Sequence, residues 1–145
     1  MLEITVPGIE LYNEETNEFI YHDDETIQFE HSLVSISKWE ANWCKPFLST
    51  RDKTPEEVLD YVKCMTITEG VTNDIYSRLT QDNFSMINDY IGKPMTATTF
   101  PPEQSKGGRE IITSEIIYYW MVSFNIPFEC QYWHLNRLMT LIRVC

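Results

Sequence analysis

The side chains that could perform catalysis or bind a metal ion are few and scattered. The candidates are three histidines and four cysteines, namely His22, His31, His134, Cys44, Cys64, Cys130 and Cys145. No two cysteines have the Cys-x-x-Cys spacing that places two thiolates on one metal ion, and the histidines form no recognisable ligand set. No nucleophile elbow or zincin motif is present. The sequence therefore predicts no catalytic residue, no cofactor and no metal site, and we expect a protein that is not an enzyme.

Two short charged segments resemble ligand sites without completing them. The Asp-Asp-Glu segment at 23–25 could bind a hard cation, but it lacks the spaced oxygen ligands and the glycine of a calcium loop. The Lys-Gly-Gly-Arg segment at 106–109 lacks the preceding buried strand and the Gly-Lys-Ser/Thr spacing that aim backbone amides at phosphate. We interpret the first as a solvated turn and the second as part of a loop.

The strongest signal lies in residues 111–145, and it indicates binding to another protein. Residues 114–124 carry apolar or aromatic side chains on every face of a predicted helix, which Thr113 or Ser114 can cap and Asn125 can end. A second helix is predicted from Pro127 onward. Its apolar stripe consists of Phe128, Tyr132, Leu135, Met139 and Ile142. Together the two segments predict a helical hairpin.

An ordinary core accounts for most of these apolar side chains, but a helix that is apolar all round must be covered on every side. The remainder is expected to bind a partner, because aromatic and arginine side chains dominate interface energetics. His134 is expected to be a surface or interface residue rather than a catalyst. The predicted partner-binding residues are Trp120, Phe124, Trp133, His134 and Arg137.

The rest of the chain divides near residue 31. Alternating segments at 2–6, 9–12, 19–21 and 26–29 predict an antiparallel β-meander of three or four strands. Beyond it the apolar period becomes helical, and Thr54 is expected to cap a helix from Pro55, with Glu57 reciprocating. Thr80 and Gly92 are expected to bound another helix.

We therefore predict a single α+β domain. Residues 1–31 form an acidic meander packed on a helical part, 32–145, of four to five helices that ends in the hairpin. A mobile loop is expected at about residues 100–110, where the sequence has little to bury.

The net charge of −11 is concentrated at the N-terminus. Residues 1–31 hold nine carboxylates and no lysine or arginine, whereas the remaining 114 residues hold thirteen acids and eleven bases. Such a field repels phosphates, so we expect no nucleic-acid binding. Two interpretations of the acidity remain open: a solvated surface that keeps the protein soluble, or a docking face for a basic partner.

The compartment also follows from composition. No lysine or arginine precedes Lys38, and no apolar run approaches the roughly 18 residues of a membrane span. The widely spaced cysteines are expected to be buried free thiols in a reducing cytoplasm. We expect a soluble intracellular protein that binds no membrane.

Five segments of the chain together resemble those of a known protein family. They are Ser32-Leu-Val-Ser-Ile-Ser-Lys-Trp-Glu40, Lys-Pro-Phe-Leu at 45–48, Lys53-Thr-Pro-Glu-Glu57, Pro94-Met-Thr-Ala-Thr98 and Trp133-His-Leu-Asn-Arg-Leu-Met-Thr-Leu-Ile-Arg-Val-Cys145. These segments resemble those of tail assembly chaperones, which belong to the small tail-module proteins of long-tailed, siphovirus-type bacteriophages. The resemblance spans about residues 27–145, and the final segment is its most specific part.

The resemblance implies a non-catalytic protein of the host cell cytoplasm that binds the tape measure protein and helps to recruit tail-tube subunits, with homo-oligomerisation open. Exposed apolar surface for a helical client, together with charge for solubility, is what such a role requires. The alternatives are a structural head-tail connector and an acidic host-directed protein that mimics nucleic acid. A mimic needs carboxylates spaced rigidly along one surface, whereas here they cluster in predicted turns.

Overall fold

Four short strands form at the N-terminus, where apolar and polar residues alternate. They are β1 (Leu2–Val6), β2 (Ile9–Asn13), β3 (Glu18–His22) and β4 (Glu25–Phe29). The computed structural model describes residues 1–100 and 111–145. One face of the β1–β4 pair is buried in the core, as the period of two requires. That face consists of Ile4, Val6, Ile27 and Phe29.

The strand pairing differs from the consecutive order of a meander. β1 pairs with β4 and β2 pairs with β3, both antiparallel, so that the second pair is nested inside the first. Pro7-Gly8 and residues 23–24 are therefore opposed interruptions in one long hairpin rather than turns between neighbouring strands. The Gly8 amide donates to Asp24 Oδ1 across this interruption, at 2.6 Å.

The helical part follows directly and confirms the predicted α+β class. Within the described residues its α-helices number six rather than four or five. They are α1 (Leu33–Trp43), α2 (Pro55–Met65), α3 (Asn73–Ser77), α4 (Gln81–Ile91), α5 (Ser114–Ser123) and α6 (Leu135–Val144). The additional element is α3, a single short helix in a segment whose sequence is weakly patterned.

The structure confirms Thr54 and Thr80 as the N-terminal caps of α2 and α4. The Thr54 hydroxyl accepts the Glu57 amide at 3.2 Å, and Pro55 occupies the first turn. One oxygen of the Glu57 carboxylate, Oε1, pairs with Lys45 Nζ at 3.0 Å. Thr80 forms a capping box with Asn83.

The predicted second helix of the hairpin is wrong in its first part. A 3₁₀ helix spans Phe128–Tyr132, and α6 begins only at Leu135. Trp133 between them has an extended backbone, and His134 caps α6. Phe128 and Tyr132 are consequently exposed rather than aligned with the buried Leu135 stripe.

The core is organised around α1. This helix packs against α2, α5 and the 3₁₀ helix, while β1 packs against α4. Trp39 lies fully buried at its centre, and its indole N–H donates to the Glu57 carbonyl at 2.9 Å. Burial of such a side chain and satisfaction of its one polar atom together make α1 the main support of the fold.

The four cysteines are free thiols, as expected, but they are not all buried. Cys130 is buried and Cys64 is partly buried, whereas Cys44 and Cys145 are exposed. Cys44 ends α1 with a left-handed backbone (φ 54°), which places it at the surface turn between helices.

Candidate partner-binding groove

An apolar groove of about 760 Å³ lies between the C-terminal ends of α5 and α6. We call it the α5–α6 groove. Six of its lining side chains are apolar or aromatic, and the other two are a threonine and an arginine. They are Phe100, Ile112, Trp120, Phe124, Met139, Ile142, Thr140 and Arg143.

α5 contributes to the groove through one of its two apolar stripes. Ile117 and Met121, four residues apart, are fully buried against the core. Trp120 and Phe124, also four residues apart, lie on the adjacent stripe and reach the groove, where Trp120 is half-buried and Phe124 is 44% exposed. The apolar side chains of this helix thus divide among a core face, a groove face and exposed positions outside the groove, which are Ile116, Tyr119 and Val122.

α6 has the same division. Leu135 and Leu138 are buried in the core, whereas Met139 and Arg143, four residues apart, border the groove. Ile142 is buried and also reaches the groove wall. The position of α6 is fixed at its N-terminus, where the Asn136 side chain donates to the carbonyls of Ile91 (3.0 Å) and Lys93 (2.7 Å). The α6 wall is therefore held by hydrogen bonds outside the groove.

Arg143 is the one charged side chain among the described residues that line the groove. The Arg143 guanidinium lies over the Phe100 ring, with its carbon 3.9 Å from the ring centroid. Among the described residues that line the groove none is acidic. The site can therefore bury apolar side chains of a partner.

The five predicted partner-binding residues do not converge on one surface. Trp120 and Phe124 meet in the groove, but Trp133 and Arg137 form a separate pair, with the Arg137 guanidinium carbon 4.6 Å from the Trp133 ring centroid. Arg137 and Met139 point about 200° apart around α6. The groove and the Trp133–Arg137 pair are thus on different sides of this helix.

The expectation of a surface-exposed His134 is wrong. Only 4% of this residue is exposed. Its Nε2 donates to the Tyr90 carbonyl at 2.8 Å, and its Nδ1 accepts the Asn136 amide at 3.1 Å. Since a carbonyl can only accept and an amide N–H can only donate, these partners fix the tautomer, and His134 acts as a buried cap that joins α6 to α4.

His31 completes this buried cluster. Its ring lies edge-on to His134, with centroids 5.3 Å apart, and its Nδ1 is hydrogen-bonded to the Tyr61 hydroxyl. Burial, and secondarily the nearby His134, lower the pKa of His31 to about 3. The pair is therefore structural: His31 is bonded to Tyr61 of α2, and His134 joins α6 to Tyr90 of α4.

Part of the groove was not predicted from the sequence. Met139 and Ile142 belong to the predicted apolar stripe but not to the predicted partner-binding residues, and Phe100 and Ile112 lie outside the two predicted helices. The all-round apolarity of residues 114–124 was the signal for a second face, but the far wall depends on how α6 is placed. The predicted loop at about 100–110 and the segment 106–109 lie largely outside the described residues, at 101–110.

Other kinds of site find no support in the part of the chain that the structure describes. It contains no cluster of histidine, cysteine and acidic side chains able to hold a metal ion. No described helix is long and apolar enough to cross a membrane. Comparisons of the chain with protein families, with curated proteins and with solved structures found no match.

Proposed function

We propose that this protein is a tail assembly chaperone of a long-tailed bacteriophage, and that its α5–α6 groove binds the apolar face of a helical segment of the tape measure protein. The single observation that carries the proposal is the groove itself, an apolar concavity whose described lining includes no acidic residue although the chain has a net charge of −11. An amphipathic helix laid in such a groove buries its apolar stripe at spaced anchor positions.

The remaining features of the molecule support this role. The sequence resemblance over about residues 27–145 indicates the kind of client, and the acidic N-terminal segment keeps a protein with exposed apolar surface soluble while the groove is empty. In this role the protein works in the host cell cytoplasm, without catalysis, and delivers the tape measure protein to tail-tube subunits.

The test is co-expression with the tape measure protein encoded by the same phage, with the soluble fraction of that protein as the readout. We expect the wild-type chain to raise this fraction and the variant Phe124→Ala to raise it much less. The matched control is Tyr119→Ala, which removes an aromatic ring from the same helix at a position that is 68% exposed and outside the groove.

Thermal unfolding of each variant alone separates loss of binding from loss of folding. If wild-type protein leaves the tape measure protein insoluble, the chaperone role is wrong. If Tyr119→Ala is as damaging as Phe124→Ala while both remain folded, the client surface is not the groove.

A further inference from the structure

The β2–β3 pair carries a second exposed surface, separate from the groove. We call residues 9–22 the arm. Tyr12 lies opposite Phe19, and Glu10 lies opposite Tyr21. Directly opposed residues of an antiparallel pair project from the same face, so these four side chains share one face. The three aromatic residues are 52%, 55% and 70% exposed in the order Tyr12, Phe19, Tyr21.

The aromatic side chains form a continuous, ordered patch rather than isolated rings. The Tyr12 and Phe19 centroids are 5.1 Å apart, and those of Phe19 and Tyr21 are 6.4 Å apart. The Tyr12 hydroxyl also donates to Asn17 Oδ1 in the turn, at 2.5 Å. Side chains that already contact one another lose less conformational entropy when a partner covers them.

The charge around the patch determines which partner fits. Glu10 shares the aromatic face, Glu14 and Glu15 lie in the adjoining turn, and Glu18 begins β3 on the opposite face. All four are exposed. Within the described residues none of these four carboxylates forms a salt bridge. Residues 1–31 contain no lysine or arginine that could neutralise them. The patch is therefore complementary to a cation.

We propose that this face of the arm docks an arginine-rich segment of a protein partner. A guanidinium can stack flat on an aromatic ring and also donate two hydrogen bonds to a carboxylate. An ammonium group of lysine is a more strongly hydrated point charge and matches the patch less well. Phosphates of nucleic acid are repelled by the same carboxylates. The proposal does not depend on the chaperone function.

The base of the arm is anchored, so the face is presented in a defined orientation. Arg78 has only 4% of its side chain exposed. Its Nη1 donates to the Pro7 carbonyl at 3.3 Å, and its guanidinium approaches Glu25 at 3.9 Å and Asp74 at 3.6 Å. One buried arginine thus ties both strands at the base to α3, while the aromatic face beyond it remains exposed.

The experiment titrates the whole protein with octa-arginine, octa-lysine and octa-glutamate peptides at about 0.15 M salt, with amide NMR shifts as the map and fluorescence anisotropy as the affinity. We expect octa-arginine to shift amides of the arm and to bind several-fold more tightly than octa-lysine. The triple variant Tyr12→Thr/Phe19→Thr/Tyr21→Thr should lose about tenfold or more in affinity, because three cation–π contacts disappear while strand propensity is kept.

The matched control removes three aromatic rings that are equally exposed elsewhere, through Tyr119→Thr, Phe128→Thr and Tyr132→Thr. It should bind octa-arginine like the wild type. If the arm strands fail to form in the triple variant, Phe19→Leu tests the central ring alone with an apolar residue kept. Octa-glutamate should not bind. Equal binding of octa-lysine, comparable binding of octa-glutamate, or an unchanged affinity of a folded arm variant overturns the proposal.

Discussion

The α5–α6 groove and the arm both expose aromatic side chains, but they differ in shape, charge and support. The groove is concave and contains Arg143. Its walls are formed by α5 and α6, and other side chains of these two helices are buried in the core. The arm's aromatic face is part of a two-stranded hairpin and is bordered by carboxylates. An exposed ring by itself therefore indicates no particular partner. The charges and the curvature around it distinguish an apolar helix from an arginine-rich segment.

The two regions should differ most in what they contribute to stability. Trp39→Ala, in the helix that supports the groove wall, should lower the free energy of unfolding by about 3–5 kcal/mol, because a fully buried ring and its hydrogen bond are lost. Phe19→Ala in the arm should cost within about 1 kcal/mol. Urea denaturation measures both. Equal costs would show that the arm belongs to the core.

The stability of the helical part should also depend on pH, because this part contains the buried pair His31 and His134. The pKa of His31 is lowered to about 3 in the folded protein, so below about pH 6.5 the unfolded chain binds the additional proton. The stabilisation is fully present above that pH and declines as the pH falls toward 3. From about pH 7 to about pH 5 we expect a loss of about 2 kcal/mol.

His31→Asn serves as the matched variant for this titration. It keeps a polar group near the Tyr61 hydroxyl but cannot titrate, so the difference between the two pH profiles cancels the contribution of the carboxylates. A wild-type profile that runs parallel to that of the variant would contradict the assignment to His31.

Binding of the client distinguishes the α5–α6 groove from the Trp133–Arg137 pair, the other place where predicted partner-binding residues lie. Phe124→Ala should weaken binding of a tape measure protein fragment by about 2 kcal/mol, roughly 30-fold, because an interface anchor is removed. Arg137→Ala should have a much smaller effect, since Arg137 stacks on Trp133 away from the groove. The reverse order, measured by calorimetry, would move the client site to the Trp133–Arg137 pair.

A metal chelator should not change the stability of either region, which is the smallest of the expected effects. The sequence has no ligand-spaced set of cysteines and histidines. Melting temperatures measured with and without chelator should coincide, and a clear drop on chelation would reveal a metal that supports the fold.

Local signals in the sequence predicted the local structure well. The change of period near residue 31 and the cap at Thr54-Pro55 appear where they were expected, because side-chain periodicity and helix capping are decided by residues close together in the chain. Strand pairing is non-local, and an interrupted strand read from its own residues is indistinguishable from two strands joined by a turn.

Only part of the α5–α6 groove could be predicted from the sequence, because the rest depends on contacts between residues far apart in the chain. The excess apolarity of α5 indicated Trp120 and Phe124, because a helix cannot bury every face in one small core. Burial of His134 depends on the Tyr90 carbonyl, 44 positions away in the chain, and no local pattern encodes that contact. The aromatic face of the arm likewise emerges only from the register that sets Tyr12 opposite Phe19.

The most direct test of the central claim is methyl NMR of the methionine-labelled protein during titration with a helical tape measure peptide. Met139 borders the α5–α6 groove, whereas Met86 on α4 is 46% exposed outside it and serves as the internal control. We predict that the Met139 methyl signal shifts saturably with the peptide while that of Met86 stays in place. A saturable shift of Met86 with Met139 unchanged would contradict the assignment of the groove as the client site.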